Sequence, residues 1–147
     1  MARSTFGPLT VALALLVAGC GGGEKKSEEG ELGKERQAAC TGEPLSAAPK
    51  LPPSFPQIES DELTYTQQHT EGPTNVIEGY FHGDVKEAHD EFLKELEGAQ
   101  FKILFNELEE HDSEISWEGE GRTGQVALRE ECGDSDKTYV HITNRAA

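Results

Sequence analysis

The stretch GDVKEAHDEFLKELEGAQ, residues 83–100, decides how the rest of the chain is read. Val85, Ala88, Phe92, Leu93 and Leu96 recur every three or four residues. That spacing gathers apolar side chains on one face of a helix and leaves lysine and glutamate on the other. Asp84 stands where an N-cap belongs, and Glu87, three residues later, completes an aspartate version of the capping box. Gly98 is suited to end the helix. The expectation is one amphipathic helix over residues 85–97, with one apolar face that needs a partner.

Moving outward, the flanking segments read as strands and supply that partner. Residues 63–68 and 76–81 flank a turn at Glu71-Gly72-Pro73. After the helix, Phe101, Ile103 and Phe105 alternate over residues 101–109. Ile115 with Trp117, Val126 with Leu128, and Val140 with Ile142 repeat the two-residue period. Turns are expected at Glu120-Gly121 and at Gly133-Asp134-Ser135-Asp136. Strands joined by short turns form an antiparallel sheet, and the helix covers its apolar face. The fold class expected is α+β, a single helix on one face of an antiparallel sheet in the order ββαββββ. Tyr65, Tyr80, Tyr139, His141 and Thr143 are expected on the opposite, more polar face.

Before this domain, expected over residues 63–147, the chain changes character three times. Residues 43–57 (EPLSAAPKLPPSFPQ) hold five of the seven prolines. Proline fixes φ and lacks an N–H, so residues 43–62 read as an extended lead-in. Residues 21–39 combine glycine, serine and mixed charge with almost nothing to bury. They read as a flexible tether, with a short charged helix as the alternative. Residues 1–19 carry Arg3, the apolar run LTVALALLV over 9–17, and small residues just before Cys20. That run is shorter than the roughly 20 residues a spanning helix needs, and has the make-up of an export signal.

The Leu16-Val17-Ala18-Gly19-Cys20 stretch resembles the lipobox of bacterial lipoproteins. Membership of that family implies a signal peptide cleaved after residue 19, a diacylglycerol on the Cys20 thiol, and a lipidated tether over residues 20–42. It also implies a location outside the cytoplasm, anchored to the cell membrane, or to the outer membrane where there is one. Two or more acyl chains anchor stably where one does not. The one-helix, one-sheet architecture is similar to that of small secreted modules carried by many bacterial lipoproteins.

With Cys20 lipidated, Cys40 and Cys132 are left as one possible pair. An exported chain meets conditions in which such pairs oxidise, so a disulfide is expected. The spacing is far from C-x-x-C and no histidine completes a zinc pattern.

The net charge is −15 over 147 residues. Between Ala38 and Ala147, 23 acidic residues face eight basic ones, so the whole excess lies in the folded part. Such a surface repels nucleic acid and anionic headgroups. The densest acidic run spans Glu107, Glu109, Glu110, His111, Asp112 and Glu114, at an expected strand-to-strand turn. These residues are candidates for contact with a cation or a basic partner, although the spacing of a calcium loop is absent. Asp134 and Asp136 form a weaker version of the same pattern.

The five histidines, His69, His82, His89, His111 and His141, show no H-E-x-x-H or H-x-H arrangement. His89 should border the core face of the helix, and His82 and His141 would make a pH-sensitive or metal site if they met. Trp117 reads as core, with a ligand groove as the alternative. No nucleophile elbow, phosphate loop or dinucleotide fingerprint occurs. No cofactor, resident metal or catalytic residue is therefore expected, and the chain reads as a binder, not an enzyme. The first reading is an envelope interaction module with a protein or cationic partner. The second is a capture protein for a small solute or metal cation, which requires a concave site on the sheet face away from the helix.

Overall fold

The computed structural model describes residues 25–59, 61–134 and 136–147, with side chains described from Gly33 onward. Cys20 and the export signal lie outside the described residues. The elements are α1 (Lys25–Thr41), β1 (Leu63–Glu71), β2 (Thr74–His82), α2 (Val85–Gly98), β3 (Lys102–Leu108), β4 (Asp112–Gly119), β5 (Arg122–Arg129) and β6 (Lys137–Ala146).

The amphipathic helix is α2. The Asp84 carboxylate accepts from the Glu87 N–H at 2.8 Å, and the Glu87 carboxylate accepts from the Asp84 N–H at 3.1 Å, so both halves of the capping box are made. Its end differs from the expectation. Gly98 is the last helical residue, and the left-handed position falls two residues later on Gln100, at φ 64°. The Phe101 N–H then reaches the Leu96 carbonyl at 3.0 Å and the Gln100 N–H reaches that of Glu97 at 3.0 Å. This is a Schellman ending with glutamine where glycine is usual. It is held because Leu96 and Phe101, which the motif brings together, are both core residues.

The strands form one antiparallel sheet of six, in the order β1-β2-β6-β5-β4-β3. The last strand of the chain therefore sits between β2 and β5 and joins the two hairpin units. Gly72 opens the β1–β2 turn at φ 56°. Glu120 and Gly121 are both left-handed, at φ 51° and 71°, as a two-residue hairpin turn matched to strand twist requires.

From Leu63 onward the order is the expected ββαββββ, but a helix precedes it, so the expectation of a single helix is corrected. The segment read as a flexible tether is helical from Lys25. Glutamate, lysine, arginine, glutamine and alanine are all good helix formers, and they outweigh Gly30 and Gly33. The segment lacks an apolar face along most of its length; only its last turn buries Ala39 and Cys40, against Tyr139 and Cys132, and the remaining holds are covalent or polar. The Cys40–Cys132 disulfide bonds its last turn to the β5–β6 connection. Arg36 grips both oxygens of Glu131 at 2.7 and 2.6 Å. The Thr66 hydroxyl donates to the Ala39 carbonyl at 2.8 Å.

The core lies between α2 and the sheet. Val85, Ala88, Phe92 and Leu96 meet Ile77, Phe81, Ile115, Trp117, Val126, Leu128, Val140 and Ile142. Trp117 is fully buried, so it belongs to the core and lines no groove. Its ring packs on Phe101 and Phe55, with centroids 5.3 Å away in each case. A Cβ at Gly124, its cross-strand neighbour, would collide with the indole. Phe55 comes from the proline-rich lead-in, which is thus a closing wall of the core. The Glu120 carboxylate fixes it by accepting from the Ser54 N–H at 3.1 Å. The buried Asn144 amide, which donates to the Lys50 carbonyl at 2.9 Å, fixes it again.

Two facing expectations are overturned, one by a β-bulge in β3 and one by plain alternation in β1, whose own bulge follows. In β3 the register shifts between Ile103 and Phe105, so Phe105 leaves the face of Phe101 and Ile103 and is 47% exposed. In β1 the shift lies between Tyr65 and Gln67. Tyr65 pairs with Gly79 and follows Leu63 onto the core face, while Tyr80, Tyr139, His141 and Thr143 lie on the other face as expected.

Candidate functional site

The sheet face away from α2 is concave. A cavity of about 600 Å³ opens there, lined by β1, β2, β4, β5 and β6 and bounded on one side by Glu35 and Arg36 of α1. Strand alternation puts polar residues on this face because their neighbours point into the core. Gln67, His69 and Glu71 come from β1, Val76 and Glu78 from β2, Tyr139 and His141 from β6, Gln125, Ala127 and Arg129 from β5, and Glu114 from β4.

Two arginines and four glutamates line the groove, and the arginines are already matched. Arg36 is held by Glu131. Arg129 bridges Asp112 at 3.2 Å and Glu114 at 3.1 Å, and Gln125 donates to the other Glu114 oxygen at 3.0 Å. His69 lies 3.0 Å from Glu71. At the floor, Glu78 is only 8% exposed. Its carboxylate accepts from the Tyr139 hydroxyl, a neutral donor, and no described basic side chain pairs with it. Burial, followed by this bond to a carboxylate, raises the Tyr139 pKa, so its proton stays on the phenol. His141 faces Glu78 directly across the β2–β6 ladder. Burial lowers the His141 pKa and the Glu78 charge works against that shift. The Tyr139 and His141 rings are stacked, with centroids 6.3 Å apart.

The acidic run at the β3–β4 turn does not converge on one point. Asp112 and Glu114 turn toward Arg129, while Glu107 lies opposite Glu114 on the same face. Glu109 and Glu110 are exposed at the turn. His111 lies 2.6 Å from Glu130, a bond that raises its pKa. Asp134 braces its own turn by accepting from the Asp136 N–H at 3.2 Å. Among the described residues no group of three or more His, Cys, Asp and Glu side chains could hold a metal ion.

His82 and His141 share a face but do not meet. His82 pairs with Lys137, four positions along β6 from His141, which places them about 13 Å apart. His89 is buried between α2 and β4, its Nδ1 2.6 Å from the Ser113 hydroxyl. Sequence reasoning placed Tyr139 and His141 on this face but missed Glu78, Arg129, Arg36, Gln67 and Glu71 as site residues. For Glu78 a signal was present. It is a lone carboxylate inside the apolar run VIEGYF.

No protein-family model matches the chain, and comparisons with curated proteins and with solved structures found no match.

Proposed function

We propose that this chain is a lipid-anchored extracytoplasmic lipoprotein that binds a small solute in the groove on the open face of its sheet. The observation that carries the binding reading is the concavity, which a flat polar face would lack. Ligand sites are typically clefts of about 300–1,000 Å³ with a few convergent polar groups, and this groove falls in that range. The anchoring reading rests on the lipobox-like residues ending at Cys20. The disulfide is compatible with a location outside the cytoplasm. The proposal assigns capture of a ligand, not its chemical conversion, and the membrane enters only as the surface to which the chain is fixed.

A second reading, the envelope interaction module, has an observation of its own. Leu104, Phe105 and Leu108, 47%, 47% and 41% exposed, all lie on edge strand β3 beside the acidic turn. Edge strands are ready templates for a partner chain, but the β3 bulge bends this edge away from regular pairing. The groove therefore leads.

Two measurements test the proposal. Wild type should fractionate with membranes and Cys20→Ala should be released or mislocalised; a soluble wild type would remove the anchor. Thermal-shift screening of the full-length protein in detergent against amines, carboxylates and sugars should give a ligand whose effect disappears in Ala127→Phe, which fills the groove floor. A ligand that stabilises both forms equally would place binding elsewhere.

A further inference from the structure

We infer that the groove selects an organic cation, a solute bearing an ammonium or guanidinium group, and that Glu78 is its anchor. The inference rests on the groove being the binding site and adds the class of ligand. Glu78 lies at the floor of the cavity, more than nine-tenths buried. A carboxylate taken out of water is costly unless it is paired and hydrogen-bonded. Here the protein supplies one neutral hydroxyl, from Tyr139, and no cation from any described residue. The two arginines that could have served are fixed elsewhere, Arg36 by Glu131 and Arg129 by Asp112 with Glu114. An incoming cation therefore finds a charge waiting. An incoming anion meets two arginines whose charge is already offset by carboxylates.

The surroundings fit an organic cation better than a bare metal ion. No described trio of ligating side chains is arranged for a metal. The Tyr139 hydroxyl and the His141 ring stand beside the carboxylate and leave it in an organic, not a metal-ligating, setting. Val76 and Ala127 give the groove an apolar floor against which a short carbon chain can lie. The net charge of −15 raises the local concentration of cations and speeds their arrival.

The test is isothermal titration calorimetry of the full-length protein in detergent with 1,4-diaminobutane, agmatine and tyramine. Glutarate, glucose and Ca²⁺ are the comparison probes. At least one amine should bind at millimolar concentration or below, and Glu78→Gln should weaken it by about tenfold or more. Unfolding of the variant is excluded by its melting curve, and Ala127→Phe, which leaves Glu78 in place, should lose the same binding. Glu110→Gln, at the exposed turn, should leave it unchanged. Amines that bind wild type and Glu78→Gln alike would overturn the assignment of Glu78. Glutarate, glucose or Ca²⁺ binding in the groove in place of the amines would overturn the ligand class while leaving a solute site. No binding by any probe would remove both the cation and the solute reading.

Discussion

The two faces of the sheet are built from alternate residues of the same strands, yet they are held together in different ways. On the α2 face, Val126, Leu128, Val140 and Ile142 are fully buried, and cohesion is spread over many small contacts. On the groove face Gln125, Ala127, Arg129, Tyr139 and His141 occupy the intervening positions. There cohesion comes from a few pairs, and α1 rests on that side through one disulfide, one ion pair, a hydroxyl bond and the small buried cluster of Ala39 and Cys40 with Tyr139 and Cys132. One face stabilises the molecule; the other carries the proposed binding groove. Substitutions on the two faces should therefore separate stability from binding.

The sharpest way to break that comparison is Trp117→Ala. Its fully buried ring touches Phe55 and Phe101, so its removal should cost about 5 kcal/mol, measured by urea unfolding. A loss below about 1 kcal/mol would mean that the α2 face is not the stabilising one. Next is removal of the bridge by the double variant Cys40→Ser, Cys132→Ser. The cross-link spans a sequence separation of 92 residues. The chain-entropy model then gives about 4.6 kcal/mol. Because α1 buries only the residues of its last turn, its helical circular dichroism should fall before the sheet melts. Simultaneous loss would show that α1 and the sheet are one cooperative unit.

A smaller effect comes from His89. Burial lowers its pKa, the neighbouring Asp90 charge opposes the shift, and Lys86 adds to it. The folded imidazole therefore declines a proton that the unfolded one accepts. Stability should be full above the unfolded value of about 6.5 and should decrease as pH falls through it. His141 acts in the same direction, and exposed His111, whose pKa is raised, acts in the opposite one. Melting temperature between pH 7.5 and 5.5 should decline in wild type and decline less in His89→Gln. Equal slopes would exonerate the buried histidine. The smallest effect is a gain. Gln100→Gly relieves the left-handed strain at the end of α2 and should stabilise by about 0.5–1 kcal/mol in the same urea assay.

The α2 face was legible because its information is local. The pairs Ile115/Trp117, Val126/Leu128 and Val140/Ile142 need only strand alternation, and the Asp84–Glu87 capping box needs three residues. The groove was not legible, since it depends on which strands lie side by side. Placing β6 between β2 and β5 brings Glu78 against His141, and Arg129 reaches Glu114 only through the β4–β5 register. The bulges near Thr66 and Leu104 add one residue each, and no periodicity announces them. The helix α1 escaped for a related reason. Its hold on the domain comes from Arg36–Glu131, 95 residues apart, and from the disulfide, and neither leaves a mark within the helix itself. Phe55 was hidden by the prolines around it, which describe the path of the chain but not what the path encloses.

The disulfide also determines how the molecule would bear a load. Tension applied between the two ends of the chain runs down α1 to Cys40, crosses directly to Cys132 and leaves through the last fifteen residues. Everything from residue 41 to residue 131 is short-circuited: while the bridge is intact, the lead-in, α2 and five of the six strands cannot be extended by such a pull. Of the strands, only β6 lies in the stressed path, and it is clamped on both sides, by β2 and β5. A machine that unfolds proteins by threading them from one end would first have to extract a central strand. It would then meet a covalent ring too wide to enter a narrow pore as a single thread.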